Sequence, residues 1–342
     1  MENKLCKKVV ALQKKPQFAQ RTPEWFAARK EKITASEAAS CLFKDENTCS
    51  EYVKTFSIKN FKYDNKGVNP YENLNQYIIK KCEEFTPFTD TEHTLWGKKY
   101  EDSALRLYKL ITKKTVLEFG LLPHYRNKWL AASPDGITTD GIMLEIKCPK
   151  SRKIENGYMP FYYYTQVQIQ LEVCNLDKCH FLECKMVEKT CIEFFSKETL
   201  DEYDGIIVME KSTGIYTYPD IDILTKNDFQ NWIQTFNELQ YEFTFYRVET
   251  YNLIEVARSK IWFNNVKPKL KEIWDKFVKF QKNSTLFQKF KHDYLYQLHK
   301  KHRDNFESVT LDESLMDIDD DLTSMIFNNG DDADDMEIEC IL

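Results

Sequence analysis

Three residues near the middle of the chain have types and spacing suited to metal-assisted hydrolysis of a phosphodiester: Asp135, Glu145 and Lys147. A hard divalent cation needs oxygen ligands that converge from different backbone segments, with enough negative charge to hold it beside a phosphate. Asp135 lies in the turn sequence Ser133-Pro134-Asp135-Gly136. Glu145 lies in an alternating run over 142–147, which predicts a strand with Ile142, Leu144 and Ile146 on one side and Met143, Glu145 and Lys147 on the other. Pairing of the strands that flank the turn would bring both carboxylates to one edge. Lys147 then shares the Glu145 face, roughly 6.6 Å farther along. In such a site the ion acidifies and positions a water, while the ammonium orients that water or neutralises charge building on the phosphorane. An Asp in a Pro-Asp-Gly turn followed by Glu-x-Lys also arises by chance, so the elements around it carry weight.

Those elements predict an α/β protein: a central mixed β-sheet flanked by helices, with a helical C-terminal extension. Thr22, Pro23 and Glu24 form a helix start, ending near Lys30, and Thr34 and Glu37 stand at capping-box spacing in a second. Residues 44–94 are polar and irregular, with one helix expected around 72–83. Apolar residues at helical spacing predict an amphipathic helix over 96–112 that bears Glu101. Strands are expected over 115–122, 129–132 and 142–147, with a second turn at Asp140-Gly141, then a helix over 161–174 and a strand over 178–185. Residues 192–226 are expected to form strands and loops. Residues 227–301 are expected to be mostly helix, with Trp232, Trp262 and Trp274 on core-facing stripes.

Composition bounds the alternatives. The 342 residues, 42% hydrophobic and 14% aromatic, are ample for a packed core, and no apolar run is long enough for a membrane span or a signal peptide. An intracellular protein of the cytoplasm or nucleus is expected. Ten cysteines without a C-x-x-C pair suggest a reducing compartment, with Cys174, Cys179 and Cys184 either buried thiols or, less in keeping with their helix-end and strand setting, metal ligands. The net charge of −6 hides an asymmetry. Segment 311–342 holds twelve acidic and no basic residues, which leaves +6 on the rest. The expected organisation is a basic, loose arm at 1–20, a body at 21–301 with its core at 95–190 and a helical extension at about 227–301, and an acidic, disordered tail at 302–342.

Four blocks in order resemble the lambda-type alkaline exonuclease branch, the YqaJ-like viral recombinase group, of the PD-(D/E)xK nuclease superfamily. They are TPEWFAARKEKITASE at 22–37, LWGKKYEDSALRLY at 95–108, AASPDGITTDGIMLEIKCP at 131–149 and YTQVQIQLEV at 164–173. The resemblance implies an exonuclease domain in which Asp135, Glu145, the Ile146 carbonyl and Glu101 hold the metal. Lys147 would be the catalytic lysine, with Gln166 beside it and Gln168 and Gln170 less surely assigned. Without the family, Glu101 would read as an exposed helix carboxylate. Arg29, Ser36 and Ser133 match positions that hold the DNA 5′ phosphate, which suits a guanidinium fork and a hydroxyl near a helix start. Implied cofactors are Mg²⁺, with Mn²⁺ as a substitute and two ions in the site. The cysteine pattern gives no iron–sulfur cluster, because only Cys340 follows Cys191. Implied partners are double-stranded DNA ends and a single-strand annealing protein, the chain being a monomer or a ring-shaped homotrimer and of viral kind. The expected activity is 5′→3′ degradation leaving 3′ single-stranded tails. A structure-specific or nicking endonuclease, or a silent DNA- or partner-binding module, are the alternatives.

Overall fold

The alternation at 142–147 calls for a strand, and the computed structural model has it, β7 (Met143–Lys147), inside a seven-stranded sheet. The structure describes residues 5–42, 62–63, 69–83, 90–196, 200 and 203–307. On one side of β7 run β6 (Gly136–Thr138) and then β3 (Val116–Leu117). On the other side run β9 (Lys178–Lys189), β12 (Tyr241–Ala257), β10 (Gly205–Glu210) and β11 (Tyr216–Thr217). β7 and β9 pair in parallel, whereas the other neighbours in this sheet are antiparallel. A parallel pair needs a crossover. Helix α6 (Phe161–Cys174) supplies it.

Each face of the sheet is covered by a different layer. Leu144, Ile146, Leu182, Cys184 and Met186 pack against Tyr100, Ala104, Leu107 and Tyr108 of α5 (Glu92–Thr112). Met143, Cys179, Phe181, Ile254 and Val256 face α6 and α9 (Lys260–Lys282), with α3 (Ala38–Leu42) and α4 (Leu74–Cys82) beyond. Burial of a side chain such as Leu107 stabilises by roughly 1.5–3 kcal/mol, and two such layers are what hold β7 in place. The mixed sheet between helices is the expected architecture. Cys179 and Cys184 lie on opposite faces, so the reading of Cys174, Cys179 and Cys184 as joint metal ligands is overturned.

A second, three-stranded sheet sets the approach to the site. Its middle strand β5 (Leu130–Ala132) pairs in parallel with β1 (Ile33–Thr34) and antiparallel with β4 (Leu122–Pro123). The run 115–122 is therefore two short strands in different sheets, and β5 does not pair with β7 as the turn reading supposed. Instead Gly136–Thr138 forms the hairpin with β7. Gly136 suits its start, since a Cβ there would lie 2.3 Å from Val116 Cγ1 and would force that side chain to shift. A third pairing joins β2 (Lys62–Tyr63) to β8 (Tyr158–Met159) in parallel.

Other expectations also change. The supposed loose arm contains α1 (Lys7–Gln13), whose Val9 and Leu12 are in the core, and the Cys6 N–H bonds Thr139 O at 2.8 Å. The hydrophobic pair three residues apart was the helical signal in it. The supposed helical region 227–301 holds α8 (Lys226–Ile233) but also β12, a central strand whose buried Asn252, Ile254 and Val256 alternate at period two. Pro268 lies inside α9, where the stripe Trp262, Phe263, Val266, Leu270, Ile273 continues across it into the core. That burial offsets the roughly 3 kcal/mol an interior proline costs. Two further helices are α2 (Pro23–Lys30) and α7 (Cys191–Ser196), and α10 (Ser284–Glu307) runs past the expected start of the tail at 302. Segment 311–342 lies outside the described residues, as does most of 44–68. No described helix is long and apolar enough to cross a membrane.

Candidate active site

Register brings the carboxylates together. Gly136 pairs with Leu144 in the β6–β7 hairpin, so one step outward Asp135 stands opposite Glu145. Asp135 Oδ2 accepts the Ile146 N–H at 2.6 Å. The N–H and C=O of one strand residue face the same neighbour, which turns the Ile146 carbonyl toward Asp135 as well. Glu145 is 1% exposed. Its Oε1 accepts from Lys147 Nζ at 2.6 Å and from Gln166 Nε2 at 2.5 Å, and its Oε2 accepts from Gln170 Nε2 at 2.6 Å. Gln166 and Gln170 are one helical turn apart on α6 and so present one face. Gln168 faces elsewhere. Its amide donates to Ala257 O at 2.8 Å and accepts from Ser259 N–H at 2.7 Å, which ties α6 to the start of α9.

Glu101 comes from α5 and is bound by Arg21, whose Nη2 donates to Oε2 at 2.6 Å. Arg21 holds a left-handed backbone, φ 66°, at the turn before α2. Nothing in the sequence marked this arginine, since the pairing spans 80 residues.

The three carboxyls strain one another electrostatically. Burial pushes the Asp135 carboxyl well up, and the neighbouring charges of Glu145 and Glu101 push it further, against the pull of Lys147 and the Ile146 N–H. Glu101 is likewise raised by burial, with Arg21 and Lys147 opposing and Asp102 and Glu145 adding to it. For Lys147 burial alone would favour the neutral amine. Glu145, Tyr163 and Asp135 outweigh it and hold the ammonium charged. Its Nζ also lies 5.1 Å from the Tyr163 ring centre. Such a cluster carries more negative charge than its lysine and arginine compensate, and all its donors are hard oxygens, so it fits a hard divalent cation. Among the described residues no three carboxylate, imidazole or thiol groups already form a chelating set. An ion here would complete its shell with backbone carbonyl, water and phosphate oxygens, as Mg²⁺ commonly does.

A second group of residues lies two positions from Asp135. In the parallel pair β1–β5, Thr34 is in register with Ala131. Ser36 and Ser133 each follow by two residues, and Trp25 and Arg29 link them. Trp25 Nε1 donates to Ser133 Oγ at 2.9 Å, the Arg29 guanidinium lies 4.3 Å from the Trp25 ring centre, and Arg29 Nη2 donates to Ser36 Oγ at 3.2 Å. Thr22 caps α2 through the Trp25 N–H, and the Thr34–Glu37 capping box is present, so both local expectations hold. Glu37 is also bound by Lys81, a residue absent from the expected site. Its signal was a lysine on the inward stripe of α4, three and four residues after Ile78 and Tyr77.

Residues 24–177 match the family described as the YqaJ-like viral recombinase domain. "Uncharacterized protein R354" of Acanthamoeba polyphaga mimivirus is 27% identical, over 81% of this chain and 56% of its own length, so the chain spans about half of that relative. The alkaline exonuclease LHK-Exo from Laribacter hongkongensis is 18% identical and is covered in full, across 80% of this chain, with a TM-score of 0.40. A phage-related exonuclease from Haemophilus somnus 129PT is 10% identical, across 72% of this chain and 95% of its own, with a TM-score of 0.37. Asp135, Glu145, Lys147, Glu101, Gln166, Arg29, Ser36 and Ser133 all fall within the matched segment, and residues 24–177 of this chain are thus similar to the YqaJ-like viral recombinase domain.

Proposed function

We propose that this chain is a divalent-cation-dependent exonuclease that degrades double-stranded DNA 5′→3′ from phosphorylated ends and leaves 3′ single-stranded tails for recombination. The observation that carries the reading is the adjacency of two groups: the Asp135, Glu145, Glu101, Lys147 cluster, and the Arg29, Ser36, Ser133 group two residues away. Asp135 and Ser133 α-carbons can be at most about 7 Å apart, so one terminal nucleotide can reach both.

Asp135, Glu145, Glu101 and the Ile146 carbonyl would hold Mg²⁺ or Mn²⁺, singly or as a pair. When bound, such ions lower the pKa of a water and stabilise charge on the phosphoryl oxygens. Lys147 keeps its proton and donates to the attacking water or a non-bridging oxygen. The neutral amide of Gln166 can do the same without competing for the ion. Water adds to phosphorus, the bond to the 3′ oxygen breaks, and that oxygen takes up a proton. The released nucleotide keeps its 5′ phosphate, and so does the new chain end. Arg29, Ser36 and Ser133 would therefore meet the same group after every cycle. A single-strand annealing protein is the partner such a product calls for, and assembly as a monomer or a ring-shaped trimer is compatible with it.

The test uses linear duplex labelled at either end, and a closed circle of the same sequence. Mononucleotide release from the linear form with early loss of the 5′ label is expected, with the circle intact. Cutting of the circle would favour a nicking endonuclease, and no cleavage at all a silent binding module. Glu145→Gln should lower Mg²⁺-dependent release by at least about a hundredfold. Undiminished release in that variant would sink the site assignment.

A further inference from the structure

Lys81 places a cation where the pattern of α4 asks for an apolar residue. Its side chain is 7% exposed, and it sits outside the catalytic cluster. A buried ammonium is costly unless its protons are partnered. Here they are: Nζ donates to Arg29 O at 2.8 Å, to Glu37 Oε1 at 3.1 Å and to Glu37 Oε2 at 2.9 Å. Glu37 also accepts the Thr34 N–H at 3.0 Å. Arg29 is the competing cation, its Nη2 standing 3.9 Å from Glu37 Oε1 while it reaches Ser36 Oγ at 3.2 Å.

Glu37 thus stands between two cations, and the buried one holds both its oxygens. We propose that Lys81 is a positioning residue for the terminal-phosphate site, satisfying Glu37 so that the Arg29 guanidinium stays over Trp25 and open to an anion. This rests on the reading of Arg29, Ser36 and Ser133 as ligands of the DNA 5′ phosphate. Without Lys81, Glu37 would face Arg29 alone, and the short step from 3.9 Å to a direct ion pair would turn the guanidinium away from Ser36. The Arg29–Glu37–Lys81 cluster would fall from one net positive charge to none, which removes its attraction for a phosphate.

Duplexes ending in a 5′ phosphate or a 5′ hydroxyl provide the measurement, both as degradation rates and as binding in chelator without divalent cation. Wild type, Arg29→Ala, Lys81→Met, Lys81→Arg and the double variant Lys81→Met/Glu37→Gln are compared, each first checked for cooperative thermal unfolding. Lys81→Met should lower the preference for the phosphorylated end on the order of tenfold, the scale of one charge-assisted hydrogen bond. Lys81→Arg should retain most of it. The double variant should recover it to within about threefold of wild type, because Arg29 then has no competing carboxylate. A purely structural role for Lys81 would not be rescued by removing Glu37. Wild-type preference in folded Lys81→Met, or no recovery in the double variant, overturns the proposal while leaving the terminal-phosphate reading intact if Arg29→Ala still loses the preference. Should Lys81→Met not fold, the double variant stands in, and loss of preference there overturns it equally. Equal handling of both ends by wild type removes the terminal-phosphate reading and this inference with it.

Discussion

At the residue scale, Glu145 has protein donors on both oxygens, from Lys147, Gln166 and Gln170. These donors orient the carboxylate, and in the proposed metal site such partners would contribute about 10–100-fold to metal affinity. Gln170→Leu should therefore raise the Mg²⁺ concentration for half-maximal nuclease activity by roughly tenfold or more. Titration of activity against Mg²⁺ would read this, and an unchanged midpoint would show Gln170 to be mere packing. Glu37 gives a pH prediction away from the metal cluster. Burial acts to raise its carboxyl, but Lys81, Arg29 and the Thr34 N–H outweigh it and bring it down to about 2 from 4.5. A depressed folded-state value means a contribution fully present above the unfolded value and lost as pH falls toward about 2. Glu37→Gln, which keeps the capping amide contact, should cost up to about 3 kcal/mol at pH 7, and the gap to wild type should narrow from pH 4.5 downward. Denaturant unfolding of both proteins between pH 3 and 7 checks it.

At the element scale, much of the secondary structure was legible because capping and periodicity act locally. The α6 run at 161–174, the α2 start with its Thr22 cap, and the turn at Asp140-Gly141 stand where the sequence places them. The N-terminal segment and β12 fold otherwise than expected, although each carries a short local signal. Leu12 is 3% exposed in a helix of only seven residues, too short to be stable without the core it packs on. Leu12→Ala should destabilise the chain by about 2–5 kcal/mol, visible as a lowered unfolding midpoint. A loose arm would give no change. β12 is rich in aromatic and β-branched residues, which favour a strand, and its long pairing with β9 makes it a central one.

At the scale of the whole molecule, charge is segregated along the chain, +6 on residues 1–310 against twelve acidic residues at 311–342. Duplex binding through the basic body should weaken steeply with salt. If the acidic segment competes with DNA for that body, its removal will strengthen binding at low salt, and the difference will vanish as the Debye length shrinks to a few ångströms near 1 M. Affinities measured across a salt series with and without 311–342 decide this. A tail effect that persists at high salt would point to a partner-recruiting role instead.

Sequence alone determined which residues could carry the chemistry. Asp135, Glu145 and Lys147 are close along the chain, and the hairpin that joins them is written in a turn and an alternating strand. It also put Ser36 near a helix start and Gln166 as one of a spaced trio. Tertiary structure decided everything that needed a partner far away: Arg21 on Glu101 across 80 residues, Lys81 on Glu37 across 44, and Gln170 rather than Gln168 on Glu145. The three glutamines differ in sequence only by their place in a helix. Which of them reaches the carboxylate depends on how α6 is rotated against the sheet, and packing of the whole core sets that angle.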